Sequence, residues 1–243
     1  MKNILLIHGW DYENYYGHIN HSAWDNRSKF INELAIDNKV YYMDLPGFGL
    51  RKEPYAKVWT LDDYAKFINN YIKINNLNID YILGYSFGGA VALQYKKNYN
   101  MHIKEILVSP ALVRNEVKSK KFFSTPKIMD SLRCALRNFY LIYFIKNEEM
   151  VNGTNFLKNT YQNIVRVNML SELLTMPSED FLIIYGSEDN MVNPDLVLST
   201  VNNELRERIK VIQGGSHDIA NTHTKKLVKI INEEINRNFK KGR

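Results

Sequence analysis

Cysteine is almost missing from this 243-residue chain: Cys134 stands alone. One thiol excludes a disulfide framework within the chain and any zinc site built on several cysteines, and it suits a reducing compartment. In the surrounding helical pattern Cys134 reads as a small apolar filler. Long apolar runs are also absent at the start. Ile4 to Ile7 is a run of four that ends near Gly9, too short for a signal-peptide core or a membrane span, so a soluble cytoplasmic protein is expected. An overwhelming charge of one sign is lacking too. The net charge of +6 comes from 32 basic residues interleaved with 26 acidic ones, and there is no zinc-finger or RNA-binding motif. A solvated basic surface, not nucleic-acid binding, follows. Neither a GxGxxG fingerprint nor a P-loop lysine is found in the glycine-rich stretch Gly84 to Gly89, which argues against nucleotide binding there.

What is present is an alternation of short aliphatic runs with longer amphipathic stretches, the pattern of a parallel sheet with crossover helices. Strands are expected at Ile4 to Ile7, Val40 to Met43, Tyr81 to Leu83, Ile106 to Val108, Phe181 to Tyr185 and Ile209 to Ile212. Leu61, Tyr64, Ala65, Phe67, Ile68, Tyr71 and Ile72 recur at helical spacing behind Thr60, whose hydroxyl is a natural cap, with Asp62 and Asp63 in the first turn. Further helices are expected over Ala90 to Tyr95 and from about Thr224 to Asn238. Between Pro110 and Pro177 the alternation stops. That stretch reads as a helical lid, residues 111–177, inserted in a core made of 1–110 and 178–243.

Gly84-Tyr85-Ser86-Phe87-Gly88 is a GxSxG match placed between an expected strand and an expected helix, where a sharp elbow would raise the serine above the carboxyl edge of the sheet. A serine hydroxyl needs a base, and a histidine base needs a carboxylate to fix its tautomer. Asp189 follows the strand ending at Tyr185, and His217 follows the strand ending at Ile212, so all three candidates lie after strand C-termini, where open parallel sheets bind ligands. Glu188 competes with Asp189; Asp218, next to the histidine, would point elsewhere. His8 ends the first strand and belongs to the loop beside the serine. His18, His21, His102 and His223 lie on polar stretches. An oxyanion would be met by the backbone N–H of Phe87 and by that of Trp10 in the His8-Gly9-Trp10 loop, with both aromatic rings walling the acyl pocket.

His8-Gly9-Trp10, Asp44-Leu45-Pro46-Gly47-Phe48-Gly49, Gly84 to Gly89, Gly186-Ser187-Glu188-Asp189 and Gly215-Ser216-His217 together resemble the α/β-hydrolase superfamily, particularly its small carboxylesterase branch. The resemblance implies a mostly parallel sheet of about six strands flanked by helices, a helical lid, and Ser86, His217 and Asp189 as nucleophile, base and acid. It implies no cofactor and no metal. The reaction expected is hydrolysis of a small-molecule carboxylic ester or thioester through an acyl-enzyme. Carbon–carbon bond hydrolases, lactonases and peptidases of the same branch are alternatives, as is a non-catalytic binding protein that uses the lid pocket.

Two departures stand out. The branch usually has two further strands ahead of the first one here, and Asp11 replaces a frequent glycine before the polar stretch Tyr12 to Trp24; a surface turn residue is the expected role of Asp11. From Arg114 to Lys146 eight basic residues face only Glu116 and Asp130, a net of +6, with Phe122, Phe123, Phe139 and Phe144 interleaved. A solvated helix face is the simpler reading of that charge, and docking of an acidic acyl carrier protein the more specific one.

Overall fold

A computed structural model of the chain describes residues 1–113, 153–192 and 194–241. The strands are β1 (Asn3–Ile7), β2 (Lys39–Met43), β3 (Tyr81–Tyr85), β4 (Lys104–Val108), β5 (Phe181–Gly186) and β6 (Ile209–Ile212). They form one sheet in the order β2-β1-β3-β4-β5-β6, and every pairing is parallel. The expected strands are all present; five of the six are one or two residues longer at one end, because pairing with neighbouring strands continues beyond the apolar run.

Alternation explains why the runs are aliphatic throughout. Leu5 and Ile7 of β1 face a core layer closed by α2 (Leu61–Ile74) and α3 (Phe87–Tyr99), while Ile4 and Leu6 face a second layer closed by α1 (Ser28–Ala35) and the C-terminal helix Thr224–Lys241. Helix α2 starts as its sequence indicates: the Thr60 hydroxyl accepts from the Asp63 N–H, and the Asp63 carboxylate accepts from the Thr60 N–H at 2.8 Å. Helix α3 begins three residues earlier than its expected start at Ala90. Gly88 and Gly89 enter the helix because Gly88 lies against the carbonyl of Ile7, where no Cβ would fit.

The sheet order places β1 between β2 and β3, so the chain leaves β1 toward one side and returns to the other. The loops after β1 and β3 therefore diverge at the carboxyl edge and leave a crevice. The loop from Trp10 to Trp24 is stitched over this edge by Asp44. Its Oδ1 accepts from the Ser22 hydroxyl at 2.8 Å and the Ala23 N–H at 2.9 Å, and its Oδ2 accepts from the Leu50 N–H at 2.9 Å. Asp11 is spent locally, accepting from the Glu13 N–H at 3.0 Å to cap the short turn Tyr12–Asn14.

Of the stretch read as a lid, helices α4 (Asn155–Ile164) and α5 (Leu170–Leu173) are described. The basic stretch Arg114 to Lys146, with Cys134, lies outside the described residues. Among the described residues no helix is long and apolar enough to cross a membrane.

Candidate active site

Ser86 sits between β3 and α3 with φ 52 and ψ −115, in the region that side chains rarely adopt. That turn is held by backbone bonds: the Ser86 N–H donates to Val108 at 2.9 Å, and its carbonyl accepts from Gly89 and Ala111 at 2.9 and 3.0 Å. The strained position is thus over-determined by its surroundings, as functional strain must be. It leaves the hydroxyl at the mouth of the crevice, half-buried.

The three candidates from the sequence meet. His217 Nε2 lies 3.0 Å from Ser86 Oγ, and Nδ1 lies 2.9 and 3.1 Å from the two carboxylate oxygens of Asp189. A carboxylate can only accept, so Nδ1 carries the proton and Nε2 is left to accept from the serine. The Asp189 side chain is fully buried. Burial pushes its carboxyl up, but the His217 hydrogen bond and charge, together with the N–H groups of Met191 and Val192 on Oδ1 at 3.0 and 3.2 Å, outweigh it and hold the acid below its ordinary range. Glu188 points to solvent. The acid and base loops approach closely at Gly186, against the Gly215 carbonyl, which leaves no room for a side chain there.

His8 does not face the serine. It is buried; its Nε2 accepts from the Leu45 N–H at 2.9 Å, and its Nδ1 donates to the Gly9 carbonyl at 2.8 Å. Both nitrogens are used by the neutral ring, and burial lowers the pKa further. The residue ties the Gly9-Trp10 loop to the Asp44 turn. Gly9 in turn lies against Ser86: a Cβ on Gly9 would come within 3.1 Å of Ser86 Cβ. The N–H of Phe87, at the first position of α3, has no acceptor within the helix, and Trp10 follows Gly9 on the other side of the serine.

A cavity of about 130 Å³ opens beside Ser86. Trp10 and Phe87 line it, their rings edge-to-face at 5.3 Å, and the Trp10 indole N–H donates to the Tyr15 hydroxyl at 2.8 Å, which fixes the ring. Leu61 and Ala90 line one side, Val113, Tyr161, Ile164 and Met169 another, and Met191 and Val192 the side of Asp189. Among the described residues no Asp, Glu, Lys or Arg lines this cavity. Tyr161, whose ring packs on Trp10 at 5.3 Å, was not singled out by the sequence. It is one aromatic on an amphipathic helix, and only the folded contact distinguishes it.

A model of the alpha/beta hydrolase family matches residues 4–229. A proline iminopeptidase of Flavobacterium johnsoniae is 27% identical over 141 residues, 47% of this chain and 44% of that protein. A pimeloyl-[acyl-carrier protein] methyl ester esterase of Shewanella oneidensis is 30% identical over 118 residues, 47% of this chain and 38% of that protein. The matched stretches span less than half the length of these curated relatives. Among solved structures, the meta-cleavage product hydrolase CumD of Pseudomonas fluorescens IP01 superposes with a TM-score of 0.68 at 19% identity, covering 98% of this chain and 91% of that one, a likeness of fold.

Proposed function

The chain belongs to the alpha/beta hydrolase family, and on that footing we propose that it is a serine hydrolase that cleaves an uncharged carboxylic ester or thioester through an acyl-enzyme. The observation that carries the reading is the continuous chain of contacts from Ser86 Oγ to His217 Nε2 at 3.0 Å and from Nδ1 to Asp189 at 2.9 Å. In this scheme Ser86 Oγ attacks the substrate carbonyl carbon while Nε2 takes the hydroxyl proton. The N–H groups of Trp10 and Phe87 receive the oxyanion. His217 then passes its proton to the departing alkoxide or thiolate, which leaves the acyl group on Ser86. A water molecule, deprotonated by Nε2, attacks the acyl carbonyl; the proton returns to Ser86 Oγ as the carboxylic acid leaves. Asp189 stays ionised and holds the imidazole throughout.

Residues 111–177 are proposed as a cap over this site, supported by the wall that Val113, Tyr161, Ile164 and Met169 contribute. The apolar lining favours esters over the peptidase alternative. The relative from Flavobacterium is a proline iminopeptidase, and a substrate with a free amino terminus would bring an ammonium into a wall with no carboxylate among the described residues. A carrier-borne acyl ester is a form of the same reading; its support is the +6 charge of Arg114 to Lys146 and the esterase from Shewanella, named for an acyl-carrier-protein ester. The test is hydrolysis of a p-nitrophenyl ester series, acetate to decanoate, by the protein and by Ser86→Ala. Activity lost by several orders of magnitude in the variant supports the proposal, with losses up to about 10⁶ for such knockouts. Equal inactivity of the two proteins moves the binding-protein reading ahead.

A further inference from the structure

Ser86 and His217 stand on different elements, and the loop between Ile212 and Ile219 that carries the histidine is tied to the neighbouring loop at its start, by the Glu188 N–H on the Gly215 carbonyl at 2.8 Å and the Gly214 N–H on the Ser187 hydroxyl at 2.9 Å. It contains Gly214 at φ 72 and Gly215. Asp189 holds the His217 ring at one nitrogen. Two further side chains outside the candidate triad hold the part of the loop that bears the histidine. Tyr85, the residue before the nucleophile and 1% exposed, sends its hydroxyl to the carbonyl of His217 at 2.6 Å. Its ring stands edge-on to the His217 ring at 6.1 Å. Arg27, at the end of the short turn Asp25–Arg27, lies with Cζ 4.8 Å above the Tyr85 ring and its Nη2 3.4 Å from Asp218 Oδ1. Asp218 in turn receives the Asn221 side-chain N–H at 2.9 Å, and its carbonyl receives the Thr222 hydroxyl at 2.9 Å. The base is therefore held on its own carbonyl and on the next residue, by groups that touch each other.

We propose that Tyr85 and Arg27 are positioning residues that set the separation of Ser86 Oγ and His217 Nε2. This rests on the reading of Ser86 as nucleophile and His217 as base. The physical point is the placement of Tyr85. It is the last residue of β3, paired in register with Val108 in the centre of the sheet, so the residue that anchors the base directly precedes the nucleophile. The separation of nucleophile and base is then referred to the end of a central strand. Small misplacements of reacting groups cost large factors in rate. Burial holds the phenol of Tyr85 above its ordinary range, so it remains a donor at all working pH values.

The test uses the full chain as wild type, Tyr85→Phe, Arg27→Met, Arg27→Lys, the Tyr85→Phe/Arg27→Met double variant and Ser86→Ala. Three things are measured for each: kcat and KM on one p-nitrophenyl ester, the second-order rate of Ser86 labelling by a fluorophosphonate, and the melting temperature. Tyr85→Phe should lower kcat and the labelling rate together by about tenfold or more while KM stays within about twofold. Arg27→Met should act in the same direction, Arg27→Lys should regain most of the loss because it restores the charge over the ring, and the double variant should lose less than the product of the singles. If Tyr85→Phe does not fold, the Met and Lys pair at Arg27 carries the test. Wild-type kcat and labelling in Tyr85→Phe, with or without a lower melting temperature, overturn the inference, as does an Arg27→Lys no better than Arg27→Met. Wild type that labels no faster than Ser86→Ala overturns the underlying reading instead.

Discussion

Replacing Glu105 with glutamine should make the protein more stable at alkaline than at acidic pH relative to the natural chain. Glu105 is the second residue of β4, paired on one side with Ile82 and on the other with Phe181, and it is 1% exposed. Among the described residues neither carboxyl oxygen has a hydrogen-bond partner. The nearby Lys96 gives its ammonium to the carbonyls of Met101 and Ile103, both at 2.6 Å, and to Asp180 at 2.9 Å. Burial pushes the Glu105 carboxyl up from 4.5 to about 8; the Lys96 charge opposes this and the Asp180 charge adds to it. A raised folded pKa means that the native state holds a proton the unfolded chain releases, so stability is full below pH 4.5 and declines until about pH 8. At about 1.4 kcal/mol for each pH unit the decline reaches about 5 kcal/mol. For a chain of this length that corresponds to roughly 10 °C or more in melting temperature. Glutamine cannot ionise, and whatever its unpaired amide costs is the same at every pH, so the slope isolates the carboxyl. The assay is thermal unfolding of both proteins from about pH 5 to pH 8.5. The variant should gain steadily on the natural protein across that range; parallel curves would refute a neutral buried Glu105.

The opposite slope belongs to His8. Its pKa is lowered in the fold, so the unfolded chain takes the extra proton as pH falls through its ordinary value of 6.5, and stability drops there; His8→Gln should flatten that acid-side decline in the same unfolding assay. Asp189→Asn should leave the fold intact and cut kcat by about 10⁴, because the amide favours the wrong imidazole tautomer; ester hydrolysis measures it. Asp44→Ala should cost about 3 kcal/mol in denaturant unfolding, since it leaves the buried N–H of Ala23 unpaired and removes the bonds from the Ser22 hydroxyl and the Leu50 N–H. Tyr161→Ala should move the ester optimum toward longer acyl chains, at about 0.8 kcal/mol for each methylene admitted, read from kcat/KM across the p-nitrophenyl series.

The residues that were legible beforehand share one property: their local sequence already carries the constraint. Ile4 to Ile7 must be covered on both faces, and it is. Thr60 with Asp63 is a complete cap in four residues. Ser86, Asp189 and His217 each sit just past an apolar run among small residues, which puts them on one edge of a parallel sheet, and the structure brings them within hydrogen-bond distance of one another. What escaped notice depends on contacts between distant segments. Glu105 next to Lys104 looks like a polar strand end, yet β4 is central and both neighbours close over it. Arg27 reads as one of many surface cations until the loop from Trp10 to Trp24 folds back and lays it on Tyr85. The early start of α3 was hidden because two glycines mark a turn in isolation and a close helix packing in context.

Covalent labelling tests most directly whether Ser86 is an activated nucleophile. The protein and its Ser86→Ala and His217→Ala variants would be exposed to a fluorophosphonate, followed by intact mass and peptide mapping. One adduct on the peptide that contains Ser86, absent from Ser86→Ala and slowed by about 10³ or more in His217→Ala, is the expected result. No adduct on the natural protein, or an adduct at another residue that persists in Ser86→Ala, would contradict it.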